Sequence, residues 1–307
     1  MNILFQKTNA HWVKYSEYEY RRGEDDHLYL MPAPKAKPSV YDPMKDAEAL
    51  VVDALNVGRL AMRQGGEKKL QQAVMEFVTK NGLLGFMTAL PTTPDFIDYD
   101  AVYLPKNHFI KEETLSTQDY LSYFFPFHKP DIYKDKISAQ WNINSGQDDF
   151  DMFRLAQTFS NEPMAMNMSL QRIYAERYDW LVTQFRDWAF MLVSSFLFYQ
   201  DKDSADEFTR NLFRQGISAF GSKAPTYHIS LYDDKPMIVW DFHSLHLTIL
   251  TLFGFALTDE TQPLRICKHC NMAFIAGHPN AAFCSPKCKN QFNVYKSRDK
   301  KKQDADQ

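Results

Sequence analysis

Cysteine is absent from the first 266 of the 307 residues, and all four cysteines fall between Cys267 and Cys288. A secreted disulfide protein spreads its bridges through the fold, so this clustering excludes that class and points to one metal site in a reducing compartment. No apolar run is long enough to cross a bilayer. The longest uncharged ones, Trp188–Tyr199 and Ser244–Thr258, have 12 and 15 residues, against the roughly 20 that a transmembrane helix needs. The opening MNILFQKTNAHWVKY lacks the basic start, apolar stretch and small-residue cleavage site of a secretory signal. The expectation is a cytoplasmic protein with no membrane association. Also missing are a P-loop, a dinucleotide fingerprint and a nucleophile elbow, so nothing in the sequence argues for an enzyme. There is no internal repeat, and low complexity is confined to the polar tail Lys300–Gln307.

The chain carries 35 Lys+Arg against 38 Asp+Glu, a net charge of −3, with 45% hydrophobic and 15% aromatic residues. That supplies a core of ordinary size and excludes a disordered or collagen-like chain. The near balance of charge excludes a uniformly basic nucleic-acid coat protein. Residues 1–40 alternate aromatic and polar side chains around the turn Arg22–Asp26, which predicts one or two hairpins. Asp42-Pro43 then reads as an N-cap with proline at the first helical position. The spacing of Ala47, Leu50, Val51, Ala54, Leu55 and Ala61 predicts a helix. Leu70, Ala73, Val74, Phe77 and Val78 predict another after Gly65-Gly66, ending at Asn81-Gly82. Between Pro91 and Asp151 the pattern breaks into short strands, loops and a helix near Ser116–Phe124. A long helix is expected over Asn167–Gln200 and a second over Ser204–Phe220, ahead of Gly221. A hairpin follows, with strands Tyr227–Leu231 and Met237–Trp240, and then an apolar helix over Ser244–Leu257. The fold class expected is mainly α with some α+β character. A helical domain over residues 1–262 with small β-hairpins precedes a zinc finger of treble-clef type over 263–302 and a polar tail at 303–307.

The cysteine spacing is Cys267-x2-Cys270-x13-Cys284-x3-Cys288. Zinc takes four tetrahedral ligands, and two close pairs of thiolates supply them from two separate turns. Cys267-Lys268-His269-Cys270 makes the first knuckle. Asn271–Phe283 has the length of a hairpin, with Gly277, Pro279 and Asn280 at its turn. The second pair opens a helix, with Ser285 as N-cap and Pro286 as its first residue. Four thiolates close the coordination shell, so the expected single Zn2+ is structural, whereas catalytic zinc keeps a position open. His269 and His278 lie nearby as alternative ligands, although four cysteines leave them the reading of loop histidines.

The run Phe283-Cys284-Ser285-Pro286-Lys287-Cys288-Lys289-Asn290-Gln291 resembles the finger of the CGNR zinc-finger proteins. In those bacterial proteins a C-terminal treble clef follows a larger, mostly helical domain. The signature tetrapeptide falls on Cys288-Lys289-Asn290-Gln291, where Cys and Asn match while Gly and Arg do not. The resemblance covers about 40 residues and implies a transcription regulator that binds DNA, without the contact that the missing Arg would make.

Charge points the same way independently. From Arg265 to Lys302 nine basic residues face one acidic residue, Asp299, giving +8 and leaving −11 on the remainder. On a helical wheel Cys288, Phe292 and Tyr295 form a seam toward the metal. Lys289, Asn293, Lys296 and Lys300 flank it, with Lys287, Arg298 and Lys302 across the helix. Lys287, Lys289, Lys296, Arg298, Lys300, Lys301 and Lys302 are therefore the expected nucleic-acid contacts, DNA before RNA. The competing reading is a finger that docks a protein partner while its lysines solvate a helix end.

Other signals are weaker. Arg22-x4-His27 matches a ribonuclease-toxin pattern but spans a turn rather than a helix. The acidic pairs Asp148-Asp149 and Asp233-Asp234 lack a third carboxylate for magnesium. His243 and His246 beside Asp241 read as core or helix-end residues, and Tyr120–Phe127 as core rather than a base-stacking platform.

Overall fold

Asp42 accepts a hydrogen bond from the Met44 amide at 2.9 Å, and Pro43 follows it. The chain therefore enters a 3-10 turn at Pro43–Asp46 and continues into helix α1 (Ala47–Ala61). The computed structural model describes residues 7–63, 66–94, 96, 99–127, 172–201, 206–218, 224–259, 261–278 and 280–305. The described residues are 44% helical and 21% strand. The expectation of a mainly helical protein fails on this point: the fold is an α+β mix, with eight α-helices and twelve strands among the described residues. The strands are only two to seven residues long, too short to print a clear period of two on the sequence. Several of them also pair with partners far away in the chain.

Two compact units are built from interleaved segments. The first comprises Met1–Ala47, Gln71–Thr183 and Ser222–Leu250, and the second Glu48–Leu70, Gln184–Gly221 and Thr251–Gln307. The finger segment 263–302 thus shares its unit with α1.

In the first unit β3 (Tyr18–Arg22) and β4 (Leu28–Pro32) form the expected local hairpin. β2 (Trp12–Tyr15) pairs instead with β5 (Pro38–Tyr41), and β8 (Glu176–Arg177) joins the far side of β4. β6 (Ala101–Tyr103) pairs with β7 (Thr114–Ser116), which leads into α4 (Thr117–Ser122) with Ser116 as its N-cap. β1 (Thr8–Asn9), β9 (Thr226–Tyr232) and β10 (Lys235–Asp241) make a sheet in the order β1-β10-β9. Helix α2 (Glu67–Asn81) ends as expected, with the Gly82 amide bonded to the Val78 carbonyl. A four-residue helix, α3 (Phe86–Ala89), follows Gly85, whose φ of 77° only glycine adopts freely.

The long helix expected from Asn167 begins later. Asn167 and Leu170 lie outside the described residues, Ile173 is in a turn, and α5 runs over Tyr178–Asp201. The cause is Glu176. Its carboxylate, fully buried, accepts hydrogen bonds from the amides of Leu84, Gly85 and Phe86 at 2.8, 2.6 and 2.9 Å. It also accepts one from the Tyr174 hydroxyl at 2.6 Å. This draws the segment into a strand and caps α3 with a carboxylate where the helix end favours negative charge. Phe86, Phe124 and Trp180 pack edge to face around the same point.

The second unit holds the later parts of α1 and α5, helix α6 (Glu207–Ser218) and the chain from Thr251 onward, including the C-terminal end of α7 (Leu245–Thr258). Gly58 of α1 lies against Phe185 and Ala189 of α5. A Cβ there would stand 1.9 Å from the Phe185 carbonyl oxygen, so the two helices pack backbone to backbone.

Candidate metal centre

β11 (Leu264–Ile266) and β12 (Ala273–Ile275) pair antiparallel, with Leu264 opposite Ile275 and Ile266 opposite Ala273. The first knuckle is the tip of this hairpin. The Cys267 amide donates to the Met272 carbonyl and the Asn271 amide to the Cys267 carbonyl, each at 2.9 Å. Asn271 takes a φ of 58°, a conformation that asparagine tolerates better than most residues. The hairpin expected over Asn271–Phe283 is therefore displaced: β12 pairs backward, before the knuckle, because the ladder closes directly around the cysteine turn. The chain then returns so that the Lys268 amide donates to the Ala282 carbonyl at 3.0 Å.

Ser285 caps α8 (Pro286–Ala305) as expected, accepting from the Cys288 amide at 3.2 Å. This places Cys288 in the first helical turn. Cys267 is fully buried, Cys270 and Cys288 are half-buried, and Cys284 is exposed.

The four sulfur atoms lie within 4.8 Å of one another, close enough to bind one metal ion. Cys270 Sγ is 3.7 Å from Cys284 Sγ, which is 3.5 Å from Cys288 Sγ. A tetrahedron with metal–sulfur bonds of about 2.3 Å has edges of about 3.8 Å, so the donor set fits a four-coordinate thiophilic cation. Electrostatics agree. Burial pushes the Cys267 thiol up, but the amides of Cys270, Cys284 and His269 outweigh it and bring the group down to about 6. Burial and the neighbouring Cys288, Cys267 and Cys270 sulfurs push Cys284 up to about 12. One thiolate forms readily while Cys270 and Cys284 resist ionising beside it. A divalent cation removes that resistance.

Around the sulfurs, His269 Nε2 lies 3.0 Å from Gln291 Oε1, and its ring stacks on Tyr295 at 5.7 Å between centroids. Phe283 meets Phe292 at 5.2 Å. Phe292 and Tyr295 thus both face the finger. His269 is turned to α8, His278 accepts from the Asn280 amide, and the metal-competent group contains cysteines alone.

Three residues that the sequence reading passed over complete the centre. Asn56 pairs with both backbone groups of Ala273, and Arg59 Nε and Arg63 Nη2 donate to the carbonyls of Asn271 and Cys270 at 3.2 and 2.9 Å. Their signal was an asparagine between Leu55 and Val57, with Arg59 in the last turn of α1 and Arg63 in the turn that follows it.

Lys287, Lys289, Lys296 and Arg298 are exposed on α8. Lys300, Lys301 and Lys302 continue the same helix, and their side chains lie outside the described residues. The rejected signals also have places. Arg22 pairs with Asp26 at 2.9 Å, whereas His27 Nδ1 meets Arg177 Nη2 at 3.0 Å, so Arg22 and His27 do not converge. Asp241 holds His228 at 2.7 Å, and His243 meets Thr226. Asp233-Asp234 form a hairpin turn. Tyr120, Phe124 and Phe125 are core residues, and Asp148-Asp149 lie outside the described residues. Among the described residues no helix is long and apolar enough to cross a membrane. No protein-family model, no curated protein and no solved structure matches the chain.

Proposed function

We propose that the chain is a zinc-dependent nucleic-acid-binding protein, DNA favoured over RNA, in which four cysteines hold one structural Zn2+ and α8 meets the phosphate backbone. The observation that carries this reading is the helix itself. From Pro286 to Arg298 it contains no acidic residue and exposes Lys287, Lys289, Lys296 and Arg298. Its first turn supplies the metal ligand Cys288, so the metal would fix where those cations point. Basic side chains on a rigid helix neutralise phosphates and release counterions, which is the main source of sequence-independent affinity. The resemblance to the CGNR finger supports the same assignment and adds a regulatory role, with the remainder of the chain sensing a ligand or partner. Four thiolates leave zinc no open position for water, so the zinc would organise the finger rather than react.

A second reading rests on Val294 and Tyr295, which are 49% and 52% exposed amid the lysines. Apolar residues in that position suit a finger that docks a protein. Binding of the full chain to random duplex DNA at two salt concentrations tests the first reading. Affinity that falls steeply with salt supports it. No binding at either concentration removes it in favour of the protein-docking finger.

A further inference from the structure

The β9–β10 hairpin places Tyr227 opposite Trp240, Ile229 opposite Ile238 and Leu231 opposite Pro236. Directly opposed residues share a face, so these six apolar side chains form one surface. The register is locked by the two-residue turn Asp233-Asp234, with φ of 49° and 59°, the positive pair that a type I′ turn needs. Tyr227 and Trp240 meet edge to face at 5.5 Å, which closes one end of the surface. Yet Tyr227, Ile229, Leu231 and Ile238 are 61, 70, 69 and 51% exposed.

The other face is partly engaged within its own unit. There His228 Nδ1 holds Asp241 at 2.7 Å, Lys7 sits 4.2 Å over the Tyr232 ring, and Val239 is buried. Among the described residues β9 is also the outer strand of its sheet. Its sequence Thr-Tyr-His-Ile-Ser-Leu-Tyr contains no proline, glycine, lysine or acid, the devices that usually blunt an open edge.

Together the six side chains leave roughly 600 Å² of largely apolar surface in water, at the upper end of what a monomer exposes. The face offers no cation for phosphate and no charged group for a polar partner. What fits it is a sheet face of the same width and polarity, and a second copy of this hairpin is one. Two such faces would bury up to about 1,200 Å² in total, against the roughly 1,000 Å² that a specific interface requires. We infer that the chain forms a two-fold homodimer in which the β9–β10 hairpins of two copies pack face to face, with Ile229 and Ile238 at the centre. With strands of the two copies antiparallel, the acidic turns lie at opposite ends and do not repel.

Sedimentation of the full chain at micromolar concentration tests this. The expected species has twice the 35.8 kDa mass of one chain. Ile229→Lys and Ile238→Lys should each give monomers with an unchanged circular dichroism spectrum. Ile229→Thr, which keeps a β-branched residue on the strand, should raise the dimer dissociation constant at least about tenfold. A monomeric wild-type chain at tens of micromolar overturns the proposal. So does a dimer that persists in both lysine variants, or, should those variants fail to fold, one that Ile229→Thr leaves unaltered.

Discussion

Asn56 holds Ala273 by both of its backbone polar groups: its amide donates to the carbonyl at 3.2 Å and its oxygen accepts from the N–H at 2.7 Å. A side-chain amide has the same donor–acceptor pair as a peptide, so Asn56 extends the β12 edge as another strand would. With Arg59 and Arg63 on the adjoining carbonyls, the metal hairpin is fastened to α1 and the turn after it by four hydrogen bonds. The finger is therefore no free appendage.

Removing that clasp should be costly. In Asn56→Ala both Ala273 groups lose their partner in a half-buried setting, and about 1–3 kcal/mol of stability should go with them. Urea unfolding measures the loss. Hydrogen exchange should show the Ala273 amide opening first while metal content stays at one per chain. An unchanged exchange rate at Ala273 would show that the clasp carries no stability.

The metal itself gives the next test. Metal analysis should find one zinc per chain, and Cys284→Ala should abolish stoichiometric binding, because three thiolates leave the tetrahedron open. Since small metal sites couple binding to folding, chelation should speed exchange over β11, β12 and the first turns of α8. The amides that Glu176 holds near α3, which belong to the other unit, should stay protected. Uniform loss of protection along the chain would show that the two units do not unfold separately.

The cysteine cluster was legible in the sequence because ligand chemistry restricts both residue type and spacing. Helices α1 and α2 were legible from their apolar period, and the β3–β4 and β9–β10 hairpins from turns a few residues long. What failed was non-local. Nothing around Trp12 or Pro38 announces that β2 pairs with β5 across an intervening hairpin. Glu176 sits in an apolar period that reads as helix, and its true partners are three amides some ninety residues earlier. Asn56 was missed for the same reason, since its partner lies 217 residues on.

Glu176 also predicts a pH dependence. Burial raises its pKa above the ordinary 4.5, although its hydrogen bonds oppose the shift. The folded state therefore holds this proton more tightly than the unfolded chain does. Stability from this group is greatest below about 4.5 and falls as pH rises from there toward the raised value. Glu176→Gln has no such titration, and its amide hydrogens face a cluster of donors. The variant should be less stable by about 1–3 kcal/mol near pH 5. The gap should narrow by about pH 7.5, as read from paired urea titrations. A gap that widens with pH would show that the carboxylate is held below its ordinary value.

The lysines of α8 decide how the helix works. Each phosphate neutralised on duplex DNA contributes about −0.9 to the slope of log K against log salt, so three to five contacts give roughly −3 to −4.5. At a slope of −3, tripling the salt should weaken binding about 30-fold. Replacing Lys289, Lys296 and Lys300 together by Ala should flatten the slope by up to about 3 and weaken every DNA sequence alike, because phosphate contacts carry no sequence information. Zinc content should not change, since none of the three is a ligand. The full chain is the right material, because a 263–302 fragment loses Asn56, Arg59 and Arg63 and with them the support of the knuckle. The −11 carried by the rest of the chain repels phosphate over a screening distance of about 8–10 Å. That repulsion is present equally in wild type and variant, so the difference between their slopes isolates the helix. Equal slopes would place the phosphate contacts elsewhere, and the absence of any salt-dependent binding would leave Val294 and Tyr295 to a protein partner.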